Sequence, residues 1–227
     1  MFYLDAANSM KNPKRPRRSR SSLMVIVFLA CSTALFSVGA LLPIASAQTS
    51  AEETTKEFVN RALQILRDKQ KSVLEKRREL KPLMEARFDS AEMAKSTLGY
   101  HWRSLTMDQR ADFTKLFTAF IEAAYLDKVQ DYSGQDVQFG QTRSLGPGYT
   151  AVDTKIVQAG KEPIPVTYLL EKADDDWKVY DVTVDNISII ANYRNQFNRI
   201  INEEGFPKLM AVLREKQQQL GSELGQG

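Results

Sequence analysis

Residues 113–139 read FTKLFTAFIEAAYLDKVQDYSGQDVQF, and within this one stretch the apolar spacing changes from a helical period to a strand period. Before Ser133-Gly134, the side chains Phe113, Leu116, Phe117, Phe120, Ile121, Ala124 and Tyr125 recur at i, i+3, i+4 and i+7, a wide helical stripe. After it, Val137 and Phe139 alternate with polar residues. The helix has a defined start, because Thr106-Met107-Asp108-Gln109 is a capping box.

Working outward towards the C-terminus, period two persists as far as Asp185, with turn residues between segments. After the turn Gly146-Pro147-Gly148, Val152 and Ile156 flank Thr154 on one face. Val166, Tyr168 and Leu170 alternate after Pro163 and Pro165, and Tyr180, Val182 and Val184 after Asp174-Asp175-Asp176. Four consecutive strands with short polar turns predict an antiparallel meander. A helix is expected from Ser188, carrying Ile189, Ile190, Tyr193, Phe197, Ile200 and Ile201 to Gly205, then a last helix from Pro207 to Leu220.

Towards the N-terminus, Thr54 to Lys71 carries Phe58, Ala62, Ile65 and Leu66 at helical spacing. Ser72 to Glu79 is strongly charged, and Leu80 to Phe88 reads as a short amphipathic piece interrupted by Pro82. Asp89 with Glu92 opens a helix containing Met93, Leu98 and Trp102. The expectation is an α+β domain with a helical N-terminal half, a four-stranded antiparallel twisted sheet and two C-terminal helices. No repeat or linker divides residues 48–227, so they are expected to form a single domain.

Residues 1–47 have a different character. Basic residues from Lys11 to Arg20 precede an apolar run from Leu23 to Ile44, then Ala45-Ser46-Ala47. This is the layout of a secretory signal peptide, with cleavage expected after Ala47 and the mature chain in an exported compartment. The run is also long enough for an uncleaved anchor. Arg17-Arg18 lacks the apolar follow-on of a twin-arginine signal, and Cys31 lies too early in the run for a good lipoprotein site. Cys31 is the sole cysteine, so the exported chain is expected to have neither disulfide nor thiol chemistry.

The whole chain has 31 basic and 28 acidic residues, a formal charge of +3. Six of those bases and one of those acids lie in the leader, which leaves 25 against 27 and a body of net charge −2. A nucleic-acid partner is not expected of such a body. Enzymatic chemistry is not expected either. His101 is the only histidine, it stands between Tyr100 and Trp102, and no phosphate loop or nucleophile elbow accompanies it. A metal site would need carboxylates alone, and acid runs such as Glu203-Glu204 read as solvated turns and element ends; no cofactor is expected.

The apolar supply is the distinctive resource. The candidate ligand-lining side chains are Phe113, Phe117, Phe120 and Tyr125 on the long helix, with Trp102 before it. The strands offer Val152, Ile156, Val166, Tyr168, Leu170, Tyr180 and Val182, and the following helix offers Tyr193 and Phe197. Periodicity alone does not distinguish a filled core from a hollow one. A carrier of apolar ligands and a solid-cored adaptor protein both fit, with an NTF2-like enzyme a distant third, limited by the single histidine.

Several segments together resemble the MlaC family of periplasmic lipid carriers, also called toluene-tolerance proteins. They are Leu98-Gly99-x-x-Trp102; Thr106-x-x-Gln109-Arg110-x-x-Phe113-x-x-x-Phe117; Trp177-Lys178-Val179-Tyr180-Asp181-Val182; Ile187-Ser188; and Tyr193-Arg194-x-Gln196-Phe197. Their joint order covers roughly residues 85–210. The resemblance implies a sheet and helices that enclose lipid acyl chains in an apolar cavity. It implies transport of phospholipid, or a hopanoid-type lipid, through the periplasm. The partners implied are an inner-membrane MCE-domain ABC transporter and an outer-membrane lipoprotein/porin complex, in a system that maintains outer-membrane asymmetry. Trp102 with Gln109-Arg110 looks closer to the hopanoid-associated HpnM branch. Asp185-Asn186 replaces the family's usual Glu-Gly at the last strand–helix junction, where Asn tolerates positive φ. Arg194 is a candidate to pair with an anionic head group or with a partner's acid, a surface ion pair being the plainer alternative.

Overall fold

A computed structural model describes the fold of residues 49–224, with side chains placed as far as Leu220. The leader and its Ala45-Ser46-Ala47 site lie outside the described residues. Among the described residues no helix is long and apolar enough to cross a membrane.

Three of the first four helices open on reciprocal caps. In α1 (Ala51–Arg67) the Ser50 hydroxyl accepts from the Glu53 N–H, and the Glu53 carboxylate accepts from the Ser50 N–H. Ser72 and Glu75 repeat this at α2 (Val73–Arg87), and Thr106 and Gln109 at α4 (Met107–Leu126). Between them, α3 (Ser90–Leu98) is capped by Asp89, which accepts from the Glu92 N–H at 2.8 Å. Two expectations are corrected here. Residues 73–87 form one helix with Pro82 inside it, not a charged segment and a separate short piece. Pro82 and Arg78, whose carbonyl loses its partner to the proline, are both exposed, so that carbonyl stays open to water. Trp102 lies beyond α3, which ends where Gly99 turns to φ 55 and a 3-10 segment, Gly99–Ser104, begins.

The sheet is an antiparallel meander in the order β1-β2-β3-β4-β5. Its strands are β1 (Asp136–Gly146), β2 (Tyr149–Val157), β3 (Ile164–Ala173), β4 (Asp176–Val184) and β5 (Ile187–Ser188). The fifth strand is an addition to the expected four, and its two residues are too few for alternation to reveal. It forms because Asp185 (φ 49) and Asn186 (φ 64) both adopt the left-handed conformation that a two-residue hairpin needs. Register in β3–β4 holds a second correction. Tyr168 pairs with Val182 and Leu170 with Val179, so a bulge intervenes in β4 and Tyr180 leaves the face occupied by Val182.

Asp181, adjoining that bulge, is buried and ties the sheet to the next helix. It accepts from the Ser188 hydroxyl and from the Ile190 N–H at the start of α5 (Ile189–Glu204). Gly205 (φ 85) ends α5, and α6 (Phe206–Leu224) follows. The core is divided into separate clusters. Phe113, Phe117, Phe120, Phe197, Leu209 and Leu213 join α4, α5 and α6 in a filled helical core. Val152, Val166, Leu170, Val179 and Val182 make the inner face of the sheet. Ile65, Leu80, Leu126 and Val129 pin the α1–α2 hairpin to the end of α4.

Candidate functional site

The inner face of the sheet and the α1–α2 hairpin do not meet in full contact. The hairpin lies over the sheet as a roof, α4 forms a side wall, and two adjoining cavities of about 320 and 490 Å³ remain. They share Phe58, Ala62, Leu80, Tyr125, Ile156 and Tyr168, which makes one two-lobed hollow. Both volumes lie in the range of small-molecule sites, and the lining is overwhelmingly apolar.

Of the candidate residues, Phe117, Tyr125, Ile156, Val166, Tyr168 and Val182 line this hollow. Phe113, Phe120, Tyr193 and Phe197 instead pack together as stacked and edge-on rings in the helical core, with Phe113–Phe117 at 5.7 Å and Phe120–Tyr193 at 5.5 Å. The α4 stripe is wide enough to serve two layers. Its Phe117–Ile121–Tyr125 side faces the hollow, and its Phe113–Leu116–Phe120 side faces α5 and α6. Val152 and Leu170 belong to the sheet's inner face but are 1% and 0% exposed, closed over by neighbours. Tyr180 is turned away by the bulge and meets Tyr149 edge-on at 5.8 Å. Trp102 packs at the edge of the helical core, beneath the Arg110 guanidinium at 5.5 Å, and its carbonyl accepts from Arg110 Nε at 3.0 Å.

The roof residues Phe58, Ala62, Leu80, Met84 and Phe88 line the hollow without having been candidates. Their signal was present as the α1 stripe Phe58-Ala62-Leu66, but nothing in a stripe says which layer it covers. Arg194, the head-group candidate, has a structural partner. Its Nε donates to the Ser96 carbonyl at 2.6 Å, and its aliphatic shaft covers Gly99, so it closes the C-terminal end of α3.

Polar groups gather at two openings. Between α2 and α4, Glu85, Glu122, Ser90 and Thr118 border the smaller lobe. Lys81 bridges Glu85 at 2.8 Å and also Glu122, whose side chain is only 14% exposed. Burial works against the Lys81 ammonium, but its bonds to Glu122 and Glu85 outweigh that and raise its pKa. The larger lobe opens between the 3-10 segment Asp127–Asp131 and the β2–β3 turn. Lys128, Asp131, Tyr132, Gln135, Gln158, Lys161 and Glu162 stand around that opening. Tyr168 lies between the lobes, its ring against open space but deep beneath the helices, and burial pushes its phenol up to about 12. It remains neutral across the physiological range.

The fold recurs in known proteins. The solved structure of a phospholipid-binding protein from Ralstonia solanacearum, in complex with a phospholipid, superposes with a TM-score of 0.68 at 23% identity, covering 76% of this chain and 99% of that one. The intermembrane phospholipid transport system binding protein MlaC of Haemophilus influenzae is 28% identical over 126 residues, 54% of this chain. That match spans 59% of the relative's length. The family model described as MlaC protein matches residues 56–215, from the first turns of α1 into α6. With the model spanning both roof helices, the sheet and the helical core, the chain belongs to the MlaC family.

Proposed function

We propose that this protein is a periplasmic carrier that holds the acyl chains of a phospholipid between its α1–α2 roof and the inner face of its sheet. The observation that carries the reading is the two-lobed apolar hollow of about 320 and 490 Å³. A lipid leaving a bilayer loses about 0.8 kcal/mol for each methylene exposed to water. A carrier must supply an equivalent apolar surface, and the rings and branched chains around Tyr168 are that surface. The names of the Haemophilus and Ralstonia proteins support a phospholipid as cargo. In this reading the chain moves lipid between an inner-membrane MCE-domain ABC transporter and an outer-membrane lipoprotein/porin complex. No bond is made or broken in that task, so neither a catalytic residue nor a cofactor is assigned. A solid-cored adaptor is disfavoured by the same hollow.

Residues 1–47 serve in this proposal as a removable export leader, and 48–227 as the single lipid-binding domain. Lining residues Phe58, Phe117, Tyr125, Ile156, Val166, Tyr168 and Val182 are assigned to acyl-chain contact. Native mass spectrometry of the exported protein, followed by organic extraction, tests the reading. The expected result is a mature chain beginning at Gln48 and carrying a lipid of identifiable mass, phospholipid rather than hopanoid. Protein that purifies empty and takes up no lipid from vesicles would overturn it.

A further inference from the structure

An amphiphile must place its polar end where an apolar hollow meets water, and this hollow meets water at two places of different charge. At the α2–α4 opening, one cation, Lys81, is held between two carboxylates, Glu85 and Glu122. That triad is internally bonded and leaves a net charge of −1. A phosphate arriving there would meet an excess of carboxylate and would have to break a bonded pair beside an apolar wall.

The second opening is balanced, with Lys128 and Lys161 facing Asp131 and Glu162. Lys128 lies 3.4 Å from Asp127 and 3.8 Å from Asp131, while its side chain remains 67% exposed. Lys161, in the β2–β3 turn, is exposed and makes no ion pair among the described residues within 4 Å. The rim beneath these lysines is already fixed. Gln158 Nε2 donates to Ser133 Oγ at 3.1 Å, which ties the β2–β3 turn to the approach to β1, and within that approach the Tyr132 hydroxyl donates to the Gln135 carbonyl at 3.0 Å. The larger lobe lies directly behind, with Phe58 and Tyr168 continuing into the smaller one.

We propose that the phosphate of the bound phospholipid sits at the opening between the 3-10 segment Asp127–Asp131 and the β2–β3 turn, against Lys161 and Lys128, with the α2–α4 opening left to the ends of the tails. This assignment rests on the lipid-carrying reading and adds to it a polarity for the ligand and a preference for phosphate-bearing lipids over neutral ones with the same tails. An ammonium on the head group is accommodated as well, since Asp131 and Glu162 flank the same rim.

The test offers delipidated mature protein two ligands with identical tails in the same neutral carrier vesicles, phosphatidylglycerol and diacylglycerol, and extracts what is bound. Wild-type protein is expected to load phosphatidylglycerol several-fold in preference. In the Lys161→Gln/Lys128→Gln double variant that preference should shrink to less than about twofold at low salt, while diacylglycerol loading and the melting midpoint stay unchanged. Lys81→Gln, at the other opening, should leave the preference intact. An undiminished preference in the double variant, or its loss in Lys81→Gln alone, would overturn the assignment. If neither lipid loads into wild-type protein, it is the carrier reading that fails, so the two failures are told apart by total lipid per protein.

Discussion

Single side chains in this protein report clearly on whether they face protein or open space. Tyr168 and Phe117 both border the hollow, yet Phe117 is 1% exposed and wedged among Phe113, Tyr193 and Phe197, whereas Tyr168 fronts both lobes. Tyr168→Trp should therefore lower co-purified lipid several-fold with a stability change below about 1 kcal/mol, because the added ring atoms enter empty space. Phe117→Trp should cost about 1–3 kcal/mol through overpacking. Lipid per protein, set beside the denaturation midpoint, checks both, and equal stability losses would mean that the hollow at Tyr168 is filled. His101 is the second informative residue. Its Nε2 is buried without a hydrogen-bond partner among the described residues, and burial holds its pKa below the usual histidine range. The folded imidazole resists a proton that the unfolded chain accepts near pH 6.5, so its contribution is present above that pH and is lost as pH falls below it. His101→Gln should flatten the stability loss between pH 7 and pH 5 and leave lipid loading within about a few-fold. A pH profile parallel to wild type would contradict the first expectation, and loss of binding by a folded variant the second. Sequence reading placed His101 outside catalysis but had no means of seeing its unpaired nitrogen, which depends on how the Gly99–Ser104 segment packs.

Elements were legible where a local signal was sufficient. The capping box at Thr106, the stripe of α4, the two-period strands and the breaks at Gly205 all have local causes, and each appears where the spacing put it. Three features had none. The β4 bulge inverts Tyr180 through a register set by β3, so alternation alone put Tyr180 and Val182 on one face. The α4 stripe divides between a core and a hollow because two layers compete for it, and roof helices contribute lining that only tertiary placement reveals. Continuity of α2 through Pro82 is the third, since local reading weighs the broken hydrogen bond without knowing that the site faces water. That exposure has a testable corollary. Pro82→Ala restores an N–H to the Arg78 carbonyl at an exposed position, and should stabilise the protein by about 1–3 kcal/mol. Urea titration of the two proteins measures it, and an unchanged or lowered midpoint would show that the proline's rigidity in the unfolded chain outweighs the missing bond.

On the scale of the whole molecule, stability and cargo are linked through the hollow. A ligand that binds only the folded state at 100 times its dissociation constant adds about 2.7 kcal/mol. Delipidated protein should melt several degrees below loaded protein, and the difference should return on incubation with phospholipid vesicles. Indistinguishable melting curves would mean that the hollow contributes no binding energy.

The anchors of the roof also dictate an order of events. Arg77 reaches the Leu126 carbonyl 49 residues away, Arg87 reaches Asp176 at 89, and Lys178 reaches the Ala86 carbonyl at 92. Contacts so distant along the chain close late in folding, because ordering the intervening segment costs entropy before any contact repays it. Although α1 and α2 come first in the sequence, these anchors predict that the roof docks only once the end of α4 and β4 are in place to receive it. A chain refolding beside phospholipid vesicles should therefore fill during its final folding phase, faster than the finished empty protein, which must first undock its roof. Stopped-flow refolding and uptake of a fluorescent phospholipid give the two rates, and equal rates would mean that the roof opens as readily as it forms.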